Sequence, residues 1–69
     1  MSPERLAYMA NQIGRFFAHR PEHAAAADIA DHLRKFWEPR MRNQIITMLG
    51  EDSGQFDPAV RKAVESLRT

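Results

Sequence analysis

The side chains with the most chemistry to offer stand together in "DHLRKFWEPRMR", residues 31–42. Two rings, Phe36 and Trp37, and a proline, Pro39, are set among four cations: Arg34, Lys35, Arg40 and Arg42. Glu38 is the one acid after Asp31 in this stretch. Arginine carries a planar fork of donors that grips carboxylate or phosphate. Aromatic and arginine side chains also dominate the energetics of protein contacts. A plain solvated elbow, with a core Phe36 and a half-buried Trp37, uses the same residue types. Which reading holds depends on which of these side chains the fold can bury.

Other constellations carry less. Asp28 and His32 are four apart within one expected helix and could share a metal ion. Two ligands do not complete a zinc site, which takes at least three from the protein, and a pair at this spacing more often makes a surface hydrogen bond. His19 and His23 are also four apart, but Pro21 lies between them and breaks the shared face. There is no cysteine for a cluster, a thiolate metal site or a disulfide. Ser53 has no histidine nearby in sequence, and no glycine-rich loop cradles a phosphate. These features argue against an independent enzyme. Tyr8 points away from Leu6 and Ile13, beside Gln12 and Arg15, and such a polar–aromatic face suits a protein contact. A lone exposed tyrosine is equally common on an idle surface.

Nucleic acid is a third reading. "PRMRNQ" imitates the start of a recognition helix, with Arg40, Arg42, Asn43 and Gln44 near its N-terminus. Phosphate binding needs a wider basic footprint, and ten basic against nine acidic residues leave a net charge of only +1. A small helical nucleic-acid-binding regulator is therefore the alternative reading. Eight of the ten basic residues are arginine, which is enriched in interface cores. No apolar run approaches the length needed to cross a bilayer, and acid and amide groups interrupt the N-terminus too early for a signal peptide. A reducing cytoplasm is the expected compartment.

Four prolines punctuate the elements that must position these residues. Ser2-Pro3 is a cap followed by a first helical position. Leu6, Ala10, Ile13 and Phe17 then share one stripe, which should end near His19. Pro21 opens a second helix with a stripe of Ala26, Ile29, Ala30, Leu33, Phe36 and Trp37. Pro39 biases Glu38 away from helical angles, so a sharp break belongs there. A third helix carries Met41, Ile45, Met48 and Leu49, with Gly50 placed to terminate it. "EDSGQ" reads as a polar loop. Asp57-Pro58 caps and starts a fourth helix with Val60, Val64 and Leu67 on one face. The fold class expected is all-α, a small bundle of about four short helices forming one domain over 1–69. So short a chain builds only a small core, so marginal stability or a homo-oligomer is expected of the isolated protein.

"MANQIGRFF" (9–17), "ADIADHLRKFWEPRMRNQI" (27–45) and "FDPAVRKAVESL" together span most of the chain. In these segments the chain resembles the delta subunit of soluble NAD-dependent molybdenum formate dehydrogenases. The specific part is His32 with Phe36-Trp37-Glu38-Pro39-Arg40-Met41-Arg42, where that family often has Asp in place of Glu38. The "EDSG" loop is more polar than the small-residue loop usual there. The resemblance implies an accessory subunit with no cofactor in this chain. In that family other subunits carry molybdenum-pterin, iron–sulfur clusters, FMN and the NAD site. It implies formate dehydrogenase subunits as partners, the catalytic alpha subunit first, with no nucleic acid and no membrane. A lasting structural subunit and an assembly factor for the alpha subunit both fit. On this resemblance the elbow becomes a docking surface, with Trp37 and Arg40 as anchors and Phe36 and Met41 holding the turn. Arg34, Arg42, Tyr8 and Arg15 complete the expected contact residues.

Overall fold

The protein, described by a computed structural model, is defined over residues 2–68. Met1 and Thr69, the ends of the expected domain, lie outside the described residues. Within them the chain forms four α-helices and no strand: α1 (Pro3–Phe16), α2 (Glu22–Phe36), α3 (Pro39–Glu51) and α4 (Pro58–Ser66). A single 3-10 turn, Ser53–Gln55, interrupts the polar loop before α4. Every helix starts where a proline marks it: Pro3, Pro39 and Pro58 take the first helical position, where an N–H would have no partner in the helix and the fixed φ suits it, and Pro21 takes the cap position before α2. Ser2 Oγ accepts from the Arg5 N–H at 3.3 Å and closes the first turn of α1. Asp57 holds the cap position of α4, but its side chain makes no capping bond.

The helix ends depart from expectation. α1 stops at Phe16 rather than His19. Its last carbonyls are taken by tight three-residue bonds, Phe17 N–H to Gly14 O and Ala18 N–H to Arg15 O, both 3.2 Å, which turn the chain toward Pro21. α3 runs through Gly50 to Glu51. No described residue has positive φ, so Gly50 does not act as a left-handed terminator. The stop comes at Asp52, whose extended φ of −153° leaves the helix and whose carboxylate accepts from the Gly54 N–H at 3.1 Å.

α2 packs most extensively on α4, and α1 and α3 close the bundle around them. Leu6, Ile29, Leu33, Ile45, Val60 and Val64 are fully buried at the centre. Small residues fill the seams: Ala7, Ala10, Ala26, Ala30 and Ala63 belong to the same cluster. Gly14 marks the closest approach. A Cβ there would stand 2.5 Å from Val60 Cγ2, so only glycine lets α1 lie against α4 at this point.

The two rings of the elbow are placed opposite to expectation. Trp37 is buried, with 7% exposure, and Phe36 is 72% exposed. On the helical wheel Phe36 and Trp37 sit roughly −60° and +40° from Leu33, on the two shoulders of one stripe, so periodicity alone does not choose between them. The backbone does. α2 ends at Phe36, and an extended ψ of 133° at Trp37 turns the chain into α3; the indole then packs in the cluster with Leu33 and Ile45 while Phe36 stays outside.

Candidate docking surface

The residues expected at a contact fall in three places. Trp37 belongs to the core cluster with Leu33 and Ile45. Arg34 and Arg42 are brought together where α2, α3 and α4 meet. Arg42 Nη1 donates to Arg34 O at 3.2 Å, and Arg34 Nη2 donates to Ser66 O at 3.2 Å. Arg42, expected at a contact, meets a backbone carbonyl within the fold. Both bonds serve the same end. The last carbonyls of a helix have no partner inside it, and a guanidinium held there also suits the negative end of the helix dipole. Arg34 closes α4 and Arg42 closes α2. Arg40, on the outer side of α3, is exposed and makes no hydrogen bond or ion pair among the described residues.

Tyr8 is 58% exposed, and its hydroxyl accepts from Gln12 Nε2 at 2.8 Å. Arg15 is exposed farther along α1. This face lies as expected, but it is polar. Its shallow hollow is lined by Ser2, Glu4, Arg5 and Tyr8, so it has one ring and no apolar neighbour.

A second aromatic surface was not foreseen. Phe16 is 76% exposed at the end of α1 and meets Phe17 edge-on, centroids 5.2 Å apart. On α2, His32 and Phe36 stack with centroids 4.7 Å apart and planes tilted by 40°. Phe17, His32 and Phe36 line one open cleft of about 280 Å³, together with Asp28, Asp31 and Lys35. The acids on its edge are already paired: Arg20 Nε to Asp28 at 2.6 Å, and Lys35 Nζ to Asp31 at 3.0 Å. What remains is four rings with a neutralised rim. The sequence held a signal for it. Adjacent residues on a helix point about 100° apart, so when Phe17 lies on the stripe with Leu6, Ala10 and Ile13, Phe16 falls at its edge. His32 and Phe36 are four apart and must meet on one face.

Asp28 binds Arg20 rather than pairing with His32, and no group of three or more metal-binding side chains forms among the described residues. No described helix is long and apolar enough to cross a membrane. A family model described as "NADH-dependant formate dehydrogenase delta subunit FdsD" matches residues 5–64. No curated protein and no solved structure matches the chain.

Proposed function

The chain belongs to the NADH-dependent formate dehydrogenase delta-subunit family, and we propose that within it the chain is a non-catalytic accessory subunit that docks on the other subunits through its aromatic face. The observation that carries this reading is the exposure of Phe16 and Phe36, at 76% and 72%, in a chain with so little core to spare. Large exposed rings beside a cleft are the surface type that binding partners cover. In this reading the catalytic alpha subunit is the partner, the cytoplasm is the compartment, and the chain contributes packing rather than chemistry. Molybdenum-pterin, iron–sulfur clusters, FMN and NAD belong to the other subunits.

The test is co-expression with the remaining formate dehydrogenase subunits, comparing the wild-type chain with the Phe16→Ser/Phe36→Ser double variant. Both substituted positions are exposed, so the variant folds and melts like wild type. Its recovery with the complex drops at least tenfold. Equal recovery of the two would remove the aromatic face from the interface. Wild-type chain that is never recovered with the complex would remove the docking role. Stoichiometric recovery with the cofactor-loaded enzyme marks a lasting subunit, and recovery only with cofactor-free alpha subunit marks an assembly factor.

A further inference from the structure

We propose that the cleft where α2, α3 and α4 meet is a carboxylate socket, in which Arg34 and Arg42 together receive an Asp or Glu side chain of the subunit the chain docks on. This rests on the docking role argued above and adds the chemistry of the partner. The cleft holds about 250 Å³ and is lined by Arg34, Pro39, Arg42, Asn43, Ile46 and Leu67. Two cations and a side-chain amide thus face one space, and among the described residues no acid lines it. The ion pairs among the described residues are elsewhere: Arg20–Asp28, Lys35–Asp31 and Lys62–Glu22. Asp31 and Glu38 are the acids nearest along the chain. Asp31 is held by Lys35, and Glu38 pairs with neither arginine.

Both guanidiniums are already positioned. Each gives an N–H to a backbone carbonyl, Arg34 to Ser66 O and Arg42 to Arg34 O. A guanidinium carries five donors, so most of each fork stays open. Ordering long side chains is a main cost of forming an ion pair, and here part of that ordering is done by the fold itself. Two like charges sharing a cleft without a counter-ion repel one another, and an arriving carboxylate removes that repulsion. Charge-assisted bonds from arginine to carboxylate are among the strong ones, especially when two run in parallel.

The walls decide the kind of anion. Ile46 and Leu67 are half-buried apolar side chains that suit the methylene stem of an acidic residue and lower the local dielectric around its charge. A nucleic-acid backbone would need cations spread along a track, whereas this is one pocket on a chain of net charge +1. The occupant is therefore a protein carboxylate.

The experiment uses the co-expressed complex. In Arg42→Lys and Arg34→Lys the charge stays, and the ammonium can still donate to the carbonyl. Each lysine also provides an amine, which carbodiimide couples to a touching carboxylate with no added spacer. We expect cross-links from position 42 or 34 to an Asp or Glu of another subunit, located by mass spectrometry. We expect the Arg34→Gln/Arg42→Gln variant to bind the complex at least tenfold more weakly than wild type. That loss should shrink in high salt, where the wild-type ion pair is screened. Circular dichroism melts of each variant separate this from unfolding. If the melts and the binding of the double Gln variant both match wild type, the socket is overturned while the docking role stands. Cross-links that reach only this chain's own carboxylates overturn it as well. So does binding of a single-stranded DNA oligonucleotide that the double Gln variant loses while its association with the subunits is unchanged. A wild-type chain that never binds the complex overturns the docking role and the socket with it.

Discussion

Phe36 and Trp37 are neighbours in sequence and opposites in the fold, and replacing each by alanine should separate packing from docking. Trp37 is 7% exposed and belongs to the central cluster. Truncating a buried Trp to Ala costs about 3–5 kcal/mol in lost burial and residual cavity. A natural domain holds roughly 0.05–0.15 kcal/mol per residue, so a chain this size has about 3–10 kcal/mol in all. Trp37→Ala therefore removes a third or more of the stability, and at the low end all of it. With each kcal/mol worth about 4–8 °C in a small domain, the melting temperature falls by at least about 12 °C. Phe36 is 72% exposed and touches chiefly His32. Its loss costs under about 1 kcal/mol, as exposed substitutions do, and alanine restores part of this through better helix propensity.

In association with the formate dehydrogenase subunits the order reverses. Phe36→Ala weakens binding by about 2 kcal/mol, roughly 30-fold, the size of an interface hot spot. Trp37→Ala acts only through the fraction of chain left folded. The assay is a matched set: thermal melts of each free variant by circular dichroism, and affinity of each for the remaining subunits below its melting temperature. A Phe36→Ala melt lowered as far as that of Trp37→Ala would refute the burial argument. Unchanged affinity of Phe36→Ala would refute the docking argument even if the melts agree.

Two further substitutions probe what holds the bundle. At Gly50 an added Cβ meets nothing within 4 Å, so Gly50→Ala should stabilise the chain by about 0.4–1 kcal/mol. At Gly14 the same change drives a Cβ into Val60 Cγ2, a buried and stiff β-branched side chain. Overpacking of about 1–3 kcal/mol outweighs the helix-propensity gain, and Gly14→Ala lowers the melt. In a Val60→Ala background that penalty should disappear. Asn11 accepts from the Asp57 N–H at 3.1 Å and donates to Gln55 O at 3.0 Å. Asn11→Ala should therefore cost about 1–2 kcal/mol for the pair of bonds and speed proteolysis between residues 52 and 57. Unchanged cleavage there would show that Arg61, which bonds Ser53 O and Phe56 O, secures the loop alone.

The starts of the helices were legible because a proline at the first turn is a local steric statement. Pro3, Pro39 and Pro58 each sit at the first helical position, and Pro21 immediately before it. The break before Pro39 was legible too, but the ends of α1 and α3 were not. Gly50 looks like a terminator but has no positive φ, because α3 runs through it and stops only at Asp52. Trp37 rather than Phe36 is buried because α3 leaves the turn so that its Ile45 shares the cluster with the indole, a path that a periodic pattern within α2 does not carry. Asn11 bridges 44 and 46 positions in sequence, and no local rule reaches so far. The arginines of the elbow read as candidate contact residues. That two of them would close helix ends and still share a cleft required knowing which ends meet.

The alanine-rich seams and the exposed rings have one cause. Ala26 and Ala30 on α2 and Ala63 on α4 let these two helices pack closely, and Gly14 does the same for α1 against α4. Close helices leave room for one large aromatic at the end of α2, and Trp37 takes it. Phe36 is then displaced outward, and Phe16 likewise once Phe17 packs against the cluster. Each exposed ring forgoes about 1.5–3 kcal/mol of burial, a large amount for so small a chain. A partner that covers Phe16 and Phe36 recovers it, and that gain is available only to the assembled complex. Tight packing inside and stickiness outside thus follow from the same choice of small residues.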